Sequence, residues 1–303
     1  MSNRCFIQFI IIIFTICYGS ASNASEPIRI FTSIAPQKLF VQQIGKDRVS
    51  VQVMVPAGGN PATYEPKPRQ MADISKTSLY FAIGVPFENV WLEKIAAANP
   101  AMRVIRTDRG IQKIPMASHH RHGRRDGYPG KDRKTPGGVD DSGLDPHIWL
   151  SPDLVKIQAA TILAALEQLE PSRQNAYRAN FHQFITRIDE LDARLKSIFA
   201  GKQGQQFLVF HPSWGYFAKA YGLEQVAIEI EGKDPKPAQL QELIAHALEK
   251  GIKVVFVQPQ FSTKSAKLIA RAIGGQVAFA NPLAEDWFSN LMEVAGQFEK
   301  VLK

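Results

Sequence analysis

The chain has 303 residues, 45% of them hydrophobic, and a formal net charge of +8. That is apolar content enough for two lobes with separate cores. Its two cysteines, Cys5 and Cys17, both lie in an apolar N-terminal run, which excludes disulfides and thiolate metal sites from everything downstream.

Arg4 precedes the almost continuous apolar run Cys5–Tyr18, and Gly19-Ser20-Ala21 and Ser22-Asn23-Ala24 follow it. A positive start, a short apolar core and small residues predict a signal peptide over 1–24, cut after Ala21 or Ala24. The run is too short for a stable anchor, which needs roughly 20 apolar residues. Lipidation at Cys17 is the alternative, opposed by the bulky Ile16 before it. Export to the periplasm is therefore expected.

Short apolar strands then alternate with helices. Strands are predicted at Ile28–Ser33, Val49–Val55, Leu79–Ile83 and around Arg103–Ile105, and helices at Gln37–Ile44, Arg69–Lys76, Glu88–Ala98 and Pro152–Leu169. This alternation predicts an α/β lobe with a mainly parallel sheet over 25–170. Residues 117–143 interrupt it with Gly, Pro, His and charge, and read as a mobile insertion. Within it, residues 119–134 hold Arg121, Arg124, Arg125, Lys131, Arg133 and Lys134 against Asp126 and Asp132, a net +4 and over half of the +7 left once Arg4 is removed. Without interleaved aromatics this is a solvated loop, and no nucleic-acid partner is expected.

From Phe181 to Ile198, apolar residues recur at helical spacing, which predicts one long helix over 171–200 between Pro171 and Gly201. A second βα lobe follows over 201–303. Its strands are predicted at Phe207–Phe210, Gln225–Ile230, Lys253–Val257 and Gln276–Ala280, and its helices at Ser213–Tyr221, Pro237–Lys250, Ser262–Ile273 and Ala284–Leu302.

Ligands of open α/β sheets sit at the carboxyl ends of strands. Four polar segments fall there: 60–68, Asp145-Pro146-His147-Ile148-Trp149, His211-Pro212-Ser213-Trp214 and Asn281-Pro282-Leu283. His147 and His211 are so placed that they could face each other across a cleft between the lobes. Neutral imidazole is a common zinc ligand, and a loop-capping role is the alternative for each. His119, His120 and His122 form a second cluster, suited either to loose zinc binding or to solvation alone. His182 and His246 read as surface or packing residues. Glu229 and Glu231 lack a partner acid and make no glycosidase pair. No phosphate loop, H-E-x-x-H or G-x-S-x-G is present, so no enzyme is expected and an exported metallohydrolase is a distant reading.

Taken together, the export signal, Tyr64-Glu65-Pro66, the stretch 145–152, His211–Gly222 and Asn281-Pro282-Leu283-Ala284 resemble the metal-binding proteins of zinc and manganese ABC importers. The resemblance covers about residues 27–302. It implies two βα lobes joined by a rigid long helix, one metal in the cleft between them, and a membrane permease as partner to a monomer. His147 and His211 match two ligand positions of that family, and His at 211 favours zinc over manganese. Two positions depart from the pattern. Ala62 stands where the family has a ligand His, and Asn281 where it has an Asp. Glu65 or a His at 119, 120 or 122 then substitutes, or two His and water hold zinc, or the cargo has changed. The last option makes the chain a binding protein for another ligand, or an adhesin.

Overall fold

A computed structural model of the chain describes residues 26–117, 143–230 and 232–301. The predicted signal peptide with Cys5 and Cys17, the cluster His119, His120 and His122, and Glu231 lie outside the described residues.

The first half forms β1 (Ile28–Ile34), α1 (Ala35–Gly45), β2 (Val49–Val55), α2 (Pro68–Ile74), β3 (Leu79–Ala82), α3 (Glu88–Ala98) and β4 (Arg103–Arg106). α4 (Pro152–Leu169) and α5 (Gln174–Ile198) lead to β5 (Gln206–Val209), α6 (Gly215–Tyr221), β6 (Glu224–Ala227), α7 (Pro237–Glu249), β7 (Val254–Val257), α8 (Lys264–Ala272), β8 (Gln276–Phe279) and α9 (Trp287–Val301). Both sheets are parallel and share one order, β2-β1-β3-β4 and β6-β5-β7-β8. Ile30 pairs with Val51 on one side and Leu79 on the other.

The strands follow from their side chains. Leu79-Tyr80-Phe81-Ala82 and Val254–Val257 are buried along their whole length, as inner strands covered by helices on both faces must be. β2, at a sheet edge, instead exposes Ser50 and Gln52. In each sheet the chain reverses direction across the first strand, between β1 and β3 and between β5 and β7. Loops leaving the carboxyl ends of such neighbours diverge and open a crevice.

α5 is 25 residues long, about 37 Å at 1.5 Å per residue. It buries Phe184, Ile188, Leu191 and Leu195 at helical spacing against α1, α4 and α9. One continuous core runs from Phe31 and Phe81 of the first sheet, through Phe184 and Leu191, to Phe207 and Phe256 of the second. A second core, with Leu208, Val255, Leu243 and Ile269, fills the other face of the second sheet. The lobes are thus bonded by shared apolar packing rather than by a bare linker, which fixes the crevice walls relative to each other. Trp287 adds to this, with its Nε1–H donating to the Trp149 carbonyl at 2.7 Å and its ring edge-on to Phe40.

Element boundaries differ from expectation near the crevice. β6 stops at Ala227, three residues early, because Glu229 turns to His211 and Ile230 bridges to Lys233 around Gly232, which has φ +77°. α6 begins at Gly215 rather than Ser213, because the backbone of 211–214 is bound by Gln258 and Gln225.

Candidate metal centre

His147 stands two residues after Asp145, in a segment tied to the first lobe by Asp145 N–H donating to Ile114 O at 2.8 Å. Asp145 is fully buried. Its Oδ1 accepts from the His147 backbone N–H at 2.9 Å and from Nδ1 at 2.7 Å. A carboxylate oxygen there requires the proton on Nδ1 and leaves the Nε2 lone pair free. Tyr216 Oη donates to the Asp145 carbonyl at 2.8 Å, so α6 of the second lobe also holds this segment. Gly215 permits that approach, since a Cβ there would lie 2.7 Å from Asp145 Oδ2.

His211 leaves the carboxyl end of β5. The buried Gln258 side chain, at the end of β7, accepts from its N–H at 3.1 Å and donates to its carbonyl. Its Nδ1 lies 2.7 Å from Glu229 Oε1, and Glu229 is 8% exposed. The ring stacks on Phe261. His211 therefore repeats the arrangement of His147, with a buried carboxylate behind Nδ1 and Nε2 free. The two imidazole centroids are 5.2 Å apart at 72°. His147 is 8% exposed, and burial holds its pKa below the ordinary 6.5, against the opposing pull of Asp145. His147 is thus a neutral donor at physiological pH.

Both rings face a cavity of about 70 Å³ lined also by Asn60, Pro61, Ala62, Gln260 and Leu283. All four polar segments singled out from the sequence contribute to its wall. The loop after β3 joins them through Val85 and Pro86. It is shaped by the buried Glu88 carboxylate, which accepts from Ile83 and Gly84 N–H at 2.9 Å each and whose pKa burial raises.

The remaining candidates fall elsewhere. Glu65 is exposed and does not line the cavity. Asn281 Oδ1 accepts from Leu283 N–H at 3.0 Å, and the residue lines a separate cleft with Ala35 and Lys38. Ala62 lines the cavity but supplies no donor. Among the described residues, no group of three or more His, Cys, Asp or Glu is arranged to hold a metal. Its loop is nonetheless well built. Asn60 Oδ1 accepts from Ala62 N–H at 2.9 Å, Phe87 N–H donates to Pro61 O at 3.0 Å, and Gln70 joins Tyr64 Oη to the carbonyl of Met54.

In the sequence Glu229 has no second acid to pair with; in the structure its partner is an imidazole. The available signal was position, since it follows a strand of the second sheet just as His211 does. Glu229→Gln is expected to weaken zinc binding by about 10–100-fold, because an amide N–H facing Nδ1 favours the tautomer that blocks Nε2. Chelator-competition titration checks this, and unchanged affinity would remove Glu229 from the site.

Comparison with known proteins gives a consistent result. The family model of ZnuA, the periplasmic zinc-uptake complex component A, matches residues 30–301. The high-affinity zinc uptake system protein ZnuA of Bacillus subtilis is 27% identical over 270 residues, covering 88% of this chain and 81% of that protein. Its counterpart in Paracoccus denitrificans is 29% identical, covering 83% and 81%. A crystal structure of ZnuA superposes with a TM-score of 0.81 at 40% identity, over 92% of this chain and all of that one. The laminin-binding protein of Streptococcus agalactiae, at 20% identity and TM-score 0.75 over 92% of this chain and all of that one, shares the fold.

Proposed function

The chain belongs to the ZnuA family of periplasmic zinc-uptake components, and we infer that it captures zinc between its lobes through His147 Nε2 and His211 Nε2. Members of this family are binding proteins rather than enzymes, and they serve a membrane permease and ATPase of an ABC importer. The observation that carries the ligand assignment is the pair of facing imidazoles, each held through Nδ1 by a buried carboxylate. Imidazole donors suit zinc, whereas manganese prefers oxygen. The chain is an extracytoplasmic protein. Its finer description is a proposal supported by sequence pattern: a signal peptide cleaved after Ala21 or Ala24, no lipid at Cys17, and a monomer that docks to its own permease. The division into lobes 25–170 and 201–303 about a connecting helix 171–200 is proposed on the same footing.

One observation favours a second reading, in which the cargo has changed: Ala62 faces the cavity where a donor is expected. Substitution at that position separates the two.

Proton competition tests the first reading. Zinc needs both imidazoles neutral. Burial holds the His147 pKa below its ordinary value, so His147 stays available in mild acid, and affinity falls with pH once either imidazole takes up a proton. Competition titrations from about pH 7.5 to about pH 4.5 are expected to show this fall; a flat profile contradicts imidazole ligation.

A further inference from the structure

We propose that Gln260 completes the metal site by accepting a hydrogen bond from a water molecule bound to zinc, in the place left open by Ala62. This rests on the zinc-binding reading above. Zinc takes about four donors in a tetrahedral array, and the facing imidazoles supply two. Ala62 has none to offer, Asn281 is turned into its own loop, and Glu65 is exposed. Water fills the coordination positions that protein groups leave open.

A water ligand is a strong hydrogen-bond donor and needs an acceptor, but the cavity wall gives it few. Val85, Pro86, Met116, Trp149, Phe261 and Leu283 are apolar. Asn60 Oδ1 is taken by Ala62 N–H. Gln260 is the exception. It lines the cavity that also holds His211, and both its amide oxygen and nitrogen are buried with no hydrogen-bond partner among the described residues. Buried amides are nearly always satisfied, and an unpaired one costs free energy unless a water or ion meets it. The cavity, about 70 Å³, has room for a metal ion and a few waters, each needing roughly 10–15 Å³. The position fits the fold: His211 follows β5 and Gln260 follows β7, the two strands that flank the crevice of the second sheet.

The test uses the chain from residue 25 loaded with Zn²⁺ or Co²⁺ alone. Gln260→Met keeps the volume and removes both polar atoms; Gln260→Glu keeps an acceptor. Gln260→Met is expected to lower zinc affinity about 10-fold and to shift the visible bands of the Co²⁺ protein, while Gln260→Glu retains affinity. ¹⁷O-labelled water is expected to broaden the Co²⁺ electron-spin resonance of the unsubstituted chain. No broadening there, or affinity and Co²⁺ spectrum unchanged in Gln260→Met, overturns the water role and leaves the imidazole pair standing. Equal losses in both variants also overturn it, by showing that Gln260 serves packing. Failure of the unsubstituted chain to bind zinc overturns the zinc reading itself.

Discussion

His147→Ala is expected to reduce zinc affinity by at least about 100-fold, more than loss of a residue that only orients a ligand. With two imidazoles as the protein donors, each carries a large share of the binding free energy, and a 100-fold loss corresponds to about 2.7 kcal/mol. The substitution also strips Asp145 Oδ1 of its ring partner inside a fully buried pocket. Oδ1 keeps the backbone N–H of residue 147, so the fold stability lost is that of one hydrogen bond to a charged group, about 1.5–3 kcal/mol. His147→Gln keeps a donor toward Asp145 and separates the two effects: it is expected to melt close to the parent and still bind zinc poorly. His211→Ala is expected to match His147→Ala. His182→Ala serves as control, because that side chain is exposed on α5 beside Phe181, and its affinity is expected to be unchanged.

The second large effect is a gain. Ala62→His is expected to tighten zinc binding by about 100-fold or more, the same scale as loss of one imidazole. The backbone at 62 is already oriented by Asn60 Oδ1 and by the bond from Phe87 N–H to Pro61 O. Ala62 is exposed while lining the cavity that holds both imidazoles, so a larger side chain meets no packed core. The new imidazole would displace water from zinc rather than protein atoms. Isothermal titration of the variant checks this. An affinity equal to that of the parent would mean that the loop points away from the ion and that the cargo-changed reading deserves the next experiment.

Much of this arrangement is legible in the sequence. Continuous apolar runs such as Val254–Val257 announce buried parallel strands, and the spacing from Phe181 to Ile198 announces the long helix. Polar residues directly after such runs mark strand ends, which places His211 on the crevice, while the stretch 145–149 is marked by the helix start at Ser151-Pro152 that follows it. Pairing across the fold is another matter. Asp145 and His147 are neighbours in sequence, but Glu229 reaches His211 from the segment just beyond β6, and nothing local announces that contact. Gln260 is hidden for the same reason: a Gln after a Pro in a loop is unremarkable until it lines the same cavity as an imidazole. Asn281 shows the converse. Its position suggested a ligand, yet its side chain closes the turn onto Leu283. Asn and Asp readily cap their own loops, so position at a strand end is necessary for a site and not sufficient.

The central claim is a zinc site formed by His147 and His211, and chelator-competition titration of the chain from residue 25 tests it most directly, run beside His147→Ala. The account predicts one zinc per chain, bound tighter than about 1 μM, with that site gone in the variant. Weak binding of several zinc ions, equal in the two proteins, would contradict it.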